Sequence, residues 1–166
     1  MHLQKAGYAT WLKHAPEIMV LESTFPQQLI TPADELRETF HQRTSVIFVA
    51  IEQGLVVGFV IADNVNRYVW KGDCEYDEKI ARSGLYVEDL VVLEQLRGKG
   101  YGMRLLRAIA RYAQQHRYKY LTGHFCSGAS AALMGKLGGY VAAYENDYLG
   151  TGMAYAYMVL DVGGER

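Results

Sequence analysis

Cysteine is scarce in this sequence: Cys74 and Cys126 are the only two, and neither lies in a CxxC pair or at a Cys/His spacing typical of zinc ligands. Isolated thiols favour a reducing compartment and argue against structural zinc, so we expect no metal. No run of 18 apolar residues is present, which argues against a membrane span. The first residues also lack the charged-then-apolar pattern of a secretory signal. These absences predict a cytoplasmic protein without membrane association.

Acidic residues are absent from positions 95–144, although the chain as a whole has a net charge of −1. This segment is therefore suited to an anion, whereas the acidic remainder of the chain is suited to a cation. A near-neutral chain with one arginine stripe does not favour nucleic acid, so we expect no nucleic-acid partner. The cations of the acid-free segment are Arg97, Lys99, Arg104, Arg107, Arg111, Arg117, Lys119 and Lys136.

Prolines are few and no linker divides the chain, so residues 1–166 are expected to form one domain. The apolar spacing predicts the order β–α–α–β–β–β–loop–α–β–α–β–β. The second helix is predicted to have Thr31 as its cap and Pro32 as its first residue. Residues 65–83 are too mixed to assign, and we expect them on the surface. This order predicts a mixed sheet with helices on both faces, in the α/β or α+β class.

A glycine-rich loop, RGKGYG at 97–102, follows the apolar strand pattern GLYVEDLVVL and leads into a predicted helix at 102–117. It is not a Walker loop, which requires GxxxxGK[ST], and its third glycine has the wrong spacing for a dinucleotide-binding GxGxxG. Alternating glycines let the backbone approach a ligand closely, and amides at a helix start attract phosphate oxygens. The pattern predicts a phosphate site; the alternative is a flexible surface turn that binds nothing.

The longer string LYVEDLVVLEQLRGKGYGMRLL resembles the central motif of the GNAT superfamily of acyl-CoA-dependent N-acyltransferases. The resemblance implies a mostly antiparallel central sheet flanked by helices, with acetyl-CoA as the acyl donor. It also implies that Leu90, Val91 and Val92 offer main-chain groups to the acyl carbonyl and the pantetheine amides. The residues implied to hold the pyrophosphate are Arg97, Gly98, Lys99, Gly100, Tyr101, Gly102 and Met103.

Two carboxylates, Glu88 and Asp89, interrupt the apolar strand before this loop. A protonated amine must lose a proton before it attacks a thioester, and a carboxylate whose pKa is raised by burial suits that task. Strand alternation puts Glu88 on the face of Leu90 and Val92, so we predict Glu88 as the catalytic base. The alternative for Glu88 is a pair with a nearby arginine. Asp89 is expected to be structural.

The helix after the next strand departs from the family pattern, which often carries an asparagine and, seven residues later, a tyrosine that protonates the leaving thiolate. These positions fall on Ser127 and Met134, and methionine cannot donate a proton. Ser127 is predicted to bind pantetheine, or else to cap the helix. Tyr144 is nominated as a substitute acid, although core packing is an alternative for its ring. His124 and Cys126 share a strand face, but no third group indicates covalent catalysis.

These patterns predict an N-acetyltransferase in which a primary amine of a small-molecule or protein acceptor attacks acetyl-CoA directly. The acidic stretch DCEYDE at 73–78 would line the acceptor entrance and favour a cationic amine, unless it is only solvated surface. The alternative function is an acyl-CoA-binding module with little or no turnover, which Met134 favours. Tyrosine-rich strands near the C-terminus are compatible with a homodimer. The acceptor and the acyl chain length are not specified by the sequence.

Overall fold

The computed structural model describes residues 1–64 and 78–163, and its helices and strands follow the predicted order except for a short helix at Glu78–Ser83, where the sequence predicts no element. Residues 65–77, with most of the acidic stretch, lie outside the described residues. Within the described ranges, no helix is long and apolar enough to cross a membrane. The elements are β1 (His2–Ala6), α1 (Tyr8–Glu22), α2 (Ala33–His41), β2 (Val46–Glu52), β3 (Leu55–Asn64), α3 (Glu78–Ser83), β4 (Gly84–Val92), α4 (Tyr101–Gln115), β5 (Tyr120–Cys126), α5 (Ala129–Lys136), β6 (Tyr140–Glu145) and β7 (Tyr155–Asp161).

The strands form one seven-stranded sheet in the order β1-β2-β3-β4-β5-β7-β6. All neighbouring strands are antiparallel except β4 and β5, which are parallel and are connected through α4. A parallel pair needs such a crossover, whereas the hairpin of β2 and β3 needs only Gln53 and Gly54. The predicted mixed, mostly antiparallel sheet is therefore confirmed.

Helices cover both faces of the sheet, and each face has its own apolar core. On one face α1 and α2 bury Ile18, Leu21 and Phe40 against β2 and β3. On the other face α4 buries Leu105 and Ile109, in line with the helical spacing of its apolar residues. Each such side chain contributes about 1.5–3 kcal/mol on burial, so the two cores hold the sheet between its helices.

The predicted start of α2 is wrong by one residue. The helix begins at Ala33 with Pro32 at the N-cap, and no side chain caps it. Thr31 instead donates its backbone N–H to Glu22 Oε1, at 2.6 Å, so it ties this loop to the end of α1. This hydrogen bond is a tertiary contact, because Glu22 precedes Thr31 by nine residues and is buried, so the local sequence does not indicate it.

The middle of β4 carries an irregularity that shapes the site. The β3–β4 register passes from Ile61–Asp89 to Ala62–Val87, so Glu88 is an extra residue in a bulge. The parallel pairing of β4 with β5 ends at Val87–Gly123. Beyond that pair the two strands separate, and a gap opens in the sheet from Glu88 onward.

Candidate active site

A groove of about 1560 Å³ runs along the gap between β4 and β5 and continues over the start of α4. Its floor includes β4 from Tyr86 to Val92, and one of its ends is formed by the glycine loop. The loop that follows α1 and the connection between β6 and β7 supply further walls, through residues such as Thr31 and Tyr148. The groove thus has two chemically different ends, joined by β4.

The glycine-loop end presents backbone. Gly98 and Gly100 have φ of 74° and 86°, a left-handed conformation that favours glycine, and Gly100 is the N-cap of α4. A Cβ on Gly102 would lie 3.0 Å from Leu133 Cδ1, so glycine also permits close packing of α4 on α5. Within the described residues, the amides of Gly98, Gly100, Tyr101, Gly102 and Met103 donate no hydrogen bond to the protein. Those amides, at the positive end of a 15-residue helix, are suited to an anion.

Two side chains fix the loop from below. Tyr101 is buried, and its hydroxyl donates to Glu52 Oε2 at 2.5 Å, which ties the first turn of α4 to the end of β2. Arg97 Nε donates to the carbonyl of Val92 at 3.2 Å and holds the loop against the end of β4. The loop is therefore anchored at its two ends while its central amides stay available.

The β4 edge between the two ends has main-chain groups to offer. Leu90, Val91 and Val92 line the groove, and β5 pairs with β4 only as far as Val87. An extended chain laid in the gap would meet the edge that β5 leaves there, because strand edges present backbone donors and acceptors. This arrangement suits a ligand with amides along its length.

Three carboxylates gather where the gap opens. Glu88 and Asp89 line the groove, and Glu22 lies buried behind them with 0% of its surface exposed. Burial raises the pKa of Asp89 well above its usual range, and the charges of Glu22 and Glu88 raise it further. Burial also raises the pKa of Glu22, against the lowering effect of the hydrogen bond from Thr31. This end of the groove therefore favours protons and cations.

A histidine joins three strands beside the carboxylates. The hydroxyl of Tyr86 on β4 lies 2.7 Å from His124 Nδ1 on β5, and His124 Nε2 lies 3.1 Å from Glu145 Oε1 on β6. The imidazole stacks on the ring of Tyr148, with 4.6 Å between centroids. Tyr86, His124 and Tyr148 all line the groove.

Tyr155 extends the aromatic surface formed by His124 and Tyr148, and the three rings together are called the aromatic wall. Tyr155 on β7 stacks on Tyr148 at 4.6 Å, and both rings line the groove. Burial raises the pKa of Tyr155 to about 12, with Cys126 and Tyr148 as smaller causes. The Tyr155 hydroxyl therefore stays protonated at neutral pH. The wall combines flat apolar faces with polar edges, which suits an organic amine.

Comparison with protein families assigns the chain. The model of the acetyltransferase (GNAT) family matches residues 10–139, which is most of the sequence. The chain belongs to the GNAT acetyltransferase family. Comparison with curated proteins finds no match. The matched range includes β4, the glycine loop and α4, which are the elements that carried the resemblance in the sequence.

Solved GNAT structures share the fold over nearly their whole length. A putative acetyltransferase from Salmonella typhimurium, determined with acetyl-CoA, has a TM-score of 0.73 at 18% identity and covers 100% of this chain and 96% of its own. An aminoglycoside 6′-N-acetyltransferase complexed with coenzyme A has a TM-score of 0.74 at 15% identity, with 100% and 99% coverage. The ribosomal-protein-S18-alanine N-acetyltransferase from Escherichia coli has a TM-score of 0.72 at 13% identity, with 99% and 96% coverage. At these identities the likeness establishes the fold.

The structure brings most of the predicted GNAT site residues to one groove, but not all of them. Tyr101 lies beneath the loop and Lys99 projects from it, so neither lines the groove in the described structure. Tyr144 is 68% exposed on β6 and is not among the described lining residues, so the structure gives no support to its role as the acid. The predicted residues that do line the groove are Glu88, Leu90, Val91, Val92, Arg97, Gly98, Gly100, Gly102, Met103 and Ser127.

The departures on α5 also have a structural account. Met134 is 0% exposed and belongs to the core beneath α5, so this position faces away from the groove. Gly128 is the N-cap of α5 and no side chain caps it, which removes the capping alternative for Ser127. The bulge at Glu88 breaks the alternation that placed Glu88 with Leu90 and Val92, because Val87 and Leu85 continue that face.

Sequence reasoning missed the aromatic wall and the buried carboxylate. Tyr86, Glu145, Tyr148 and Tyr155 come from three strands and a connection, with no local motif among them. Glu22 reads as an ordinary polar residue at a helix end. The one usable signal in the sequence is His124, which shares a strand face with Cys126.

Proposed function

We propose that this GNAT protein is an N-acetyltransferase that transfers the acetyl group of acetyl-CoA to a primary amine by direct attack. The observation that carries the proposal is the pair of unlike ends in one groove. Backbone amides of Gly98, Gly100 and Gly102 are available at one end, and carboxylates Glu88 and Asp89 lie at the other. A thioester that carries a diphosphate and an amine that carries a positive charge need these two environments.

Acetyl-CoA supplies an acetyl group activated as a thioester. The loop amides at the start of α4 would hold its pyrophosphate, and Arg97 and Arg107 line the groove close enough in the fold to add positive charge. The β4 edge at Leu90, Val91 and Val92 would bind the pantetheine amides, and Ser127 adds a hydroxyl to the same groove. Each of these residues lies on a single continuous surface.

The acceptor end would bind the amine and remove its proton. Glu88 sits in the bulge at the point where β4 and β5 part, so its carboxylate is placed at the narrow end of the gap. Asp89 and Glu22 add negative charge behind it, which favours a cationic acceptor. We propose Glu88 as the base that accepts the amine proton, directly or through water. The acceptor is then a polyamine, an amino sugar or the terminal amine of a protein, encountered in the cytoplasm.

The proposal is tested first by binding and then by transfer. Isothermal titration with acetyl-CoA is expected to give saturable, micromolar binding, and absence of binding at millimolar ligand would rule the function out. Release of free thiol is then followed with spermidine, kanamycin and an alanyl peptide as separate acceptors. Thiol release that depends on one of these amines, with the acetylated product seen by mass spectrometry, supports the enzyme.

The second candidate is a GNAT domain that binds acyl-CoA without turnover. The buried position of Met134 and the exposed position of Tyr144 favour it, because neither can protonate a leaving thiolate in the groove. Tight binding of acetyl-CoA, combined with no transfer to any of the amines, would select this function. Amine-dependent thiol release would exclude it.

A further inference from the structure

The hydrogen-bonded chain of Tyr86, His124 and Glu145 lies at the point where the sheet opens. β4 and β5 pair up to Val87 and Gly123, and His124 is the first residue of β5 beyond that pairing. Tyr86 and His124 both line the groove, beside the bulge that contains Glu88. Glu145 lies on the far side of the imidazole, on the edge strand β6. The chain therefore begins in the groove and leads away from it.

The carboxylate fixes the direction of these hydrogen bonds. An ionised carboxylate only accepts, so the Nε2–H of His124 donates to Glu145 Oε1 at 3.1 Å. The neutral imidazole then has a bare Nδ1, which accepts the hydroxyl proton of Tyr86 at 2.7 Å. A phenol oxygen can accept a proton as well as donate one, and Tyr86 lines the groove. In this tautomer the basic nitrogen, His124 Nδ1, is hydrogen-bonded to the Tyr86 hydroxyl, and that hydroxyl lies between it and the groove.

Packing holds the imidazole in this position. The side chain of His124 is 2% exposed, and its ring stacks on Tyr148 and lies 5.1 Å from Tyr157. The side chain of Glu145 is 23% exposed, so its carboxylate retains contact with water. A fixed ring with a partly hydrated carboxylate behind it can carry a positive charge without rearrangement.

We propose that Tyr86, His124 and Glu145 form a proton relay that serves both halves of the transfer, an inference that rests on the proposed acetyltransferase function. As the amine nitrogen bonds to the acetyl carbon, its proton passes to the Tyr86 oxygen while the Tyr86 proton passes to His124 Nδ1. Glu145 stabilises the imidazolium. When the carbon–sulfur bond breaks, the sulfur takes its proton from Tyr86, and His124 returns its proton to Tyr86. The relay ends as it began, with one proton moved from nitrogen to sulfur.

This relay accounts for the absence of a suitable acid on α5 and β6. Met134 is in the core and Tyr144 projects to solvent, whereas Tyr86 is a phenol that lines the groove. Glu88 remains the group that takes the first proton from an ammonium acceptor. Tyr86 is then a catalytic residue, His124 acts through it, and Glu145 is a positioning residue.

The tautomer is tested without any substrate. Long-range ¹⁵N–¹H spectra of the full chain labelled at histidine are expected to show His124 protonated at Nε2, with Nδ1 bare and shifted as a hydrogen-bond acceptor. Replacement of Tyr86 by phenylalanine is expected to remove that shift at Nδ1. A ring protonated at Nδ1 would reverse the direction of the chain and overturn the relay.

The kinetic test compares Tyr86→Phe and Glu145→Gln with Tyr140→Phe, an exposed tyrosine on the same edge strand as Glu145. With acetyl-CoA and the best amine of the panel above, Tyr86→Phe is expected to lower kcat about 100-fold and Glu145→Gln about tenfold, with the KM for acetyl-CoA within twofold. The solvent deuterium isotope effect on kcat is expected to fall in Tyr86→Phe. Heat denaturation checks that each variant is folded.

The outcomes separate the relay from the function on which it rests. An active wild type with an unchanged kcat in Tyr86→Phe overturns the relay and leaves the acetyltransferase standing. A wild type that transfers to no amine overturns the proposed function, and the relay with it. A loss that appears in KM instead of kcat assigns Tyr86 to binding and also overturns the relay.

Discussion

The two ends of the groove are built in opposite ways. The glycine-loop end comes from consecutive residues, 97–103, and presents backbone amides at a helix start. The acceptor end comes from side chains on α1, β4, β5, β6 and β7, which are far apart in the sequence. The first end consists of backbone amides that many sequences could present, whereas the second depends on the particular side chains that the sheet brings together. The family resemblance therefore depends on the first end, whereas under the proposed function the second end would select the acceptor.

The charges of the two ends differ in the same sense. The acid-free segment 95–144 supplies the cations around the loop, while Glu22, Glu88 and Asp89 meet at the other end. A donor and an acceptor of opposite charge would thus be drawn to different ends of one groove. Substitutions at each end should separate binding of acetyl-CoA from catalysis.

Glu88→Gln is expected to have the largest effect, confined to the acceptor end. Loss of the base should lower kcat about 100-fold while the Kd for acetyl-CoA stays within twofold, because the carboxylate is distant from the loop. Rates are measured by thiol release and Kd by calorimetry. The matched control is Glu94→Gln, an exposed carboxylate between β4 and α4 that is not among the described lining residues. Equal losses in the two variants would contradict the role of Glu88.

Gly100→Val should weaken binding of acetyl-CoA at the glycine-loop end and leave the carboxylate end unchanged. Its φ of 86° costs an ordinary residue about 1–2 kcal/mol, so we expect the Kd for acetyl-CoA to rise about tenfold. Gly135→Ala is the control, since this glycine lies on α5 with a negative φ and open space at its Cβ. Calorimetry measures both, and unchanged affinity in Gly100→Val would mean that the loop conformation is not needed for the pyrophosphate.

Arg107→Gln tests the electrostatic contribution at the glycine-loop end of the groove. Arg107 lines both the groove and a second hollow, whereas Arg111, one turn further along α4, lines the second hollow and is not among the described lining residues of the groove. An exposed pair of charges contributes up to about 1 kcal/mol, so the Kd should rise about three- to fivefold in Arg107→Gln and stay constant in Arg111→Gln. The difference should shrink at high salt. An equal effect of the two substitutions would point to general charge rather than a contact.

Glu22→Gln should have the smallest effect, on stability. The pKa values of Glu22 and Asp89 are raised in the folded state, so the folded protein binds more protons than the unfolded chain above about pH 4. Their contribution to stability is therefore present at low pH and is lost as the pH rises through the folded values. The difference in unfolding temperature between Glu22→Gln and wild type should therefore be about 3 °C more favourable to the variant at pH 8 than at pH 5.

Glu38→Gln is the control for that prediction, because Glu38 is an exposed glutamate on the neighbouring helix. Its unfolding temperature, measured by circular dichroism, should follow wild type at both pH values. A parallel pH dependence of Glu22→Gln and wild type would show that the buried carboxylates do not repel each other.

Most of the fold was predictable from local patterns. The strand GLYVEDLVVL and the helix after the glycine loop are found close to where the sequence places them, as β4 and α4. The error at Thr31 had a tertiary cause, since Glu22 takes the backbone N–H of that residue. Boundaries of this kind depend on a partner that is distant in sequence, which local propensity does not contain.

Local sequence patterns identified the family, the glycine loop and the order of the elements apart from α3, because each depends on neighbouring residues with a fixed spacing. The arrangement of side chains at the carboxylate end of the groove depends on the tertiary structure. The bulge at Glu88 ends the simple alternation of β4, and the separation of β4 from β5 brings Tyr86, His124 and Glu145 into one hydrogen-bonded chain. Strand order and register set those distances, and neither is encoded at any single position along the chain.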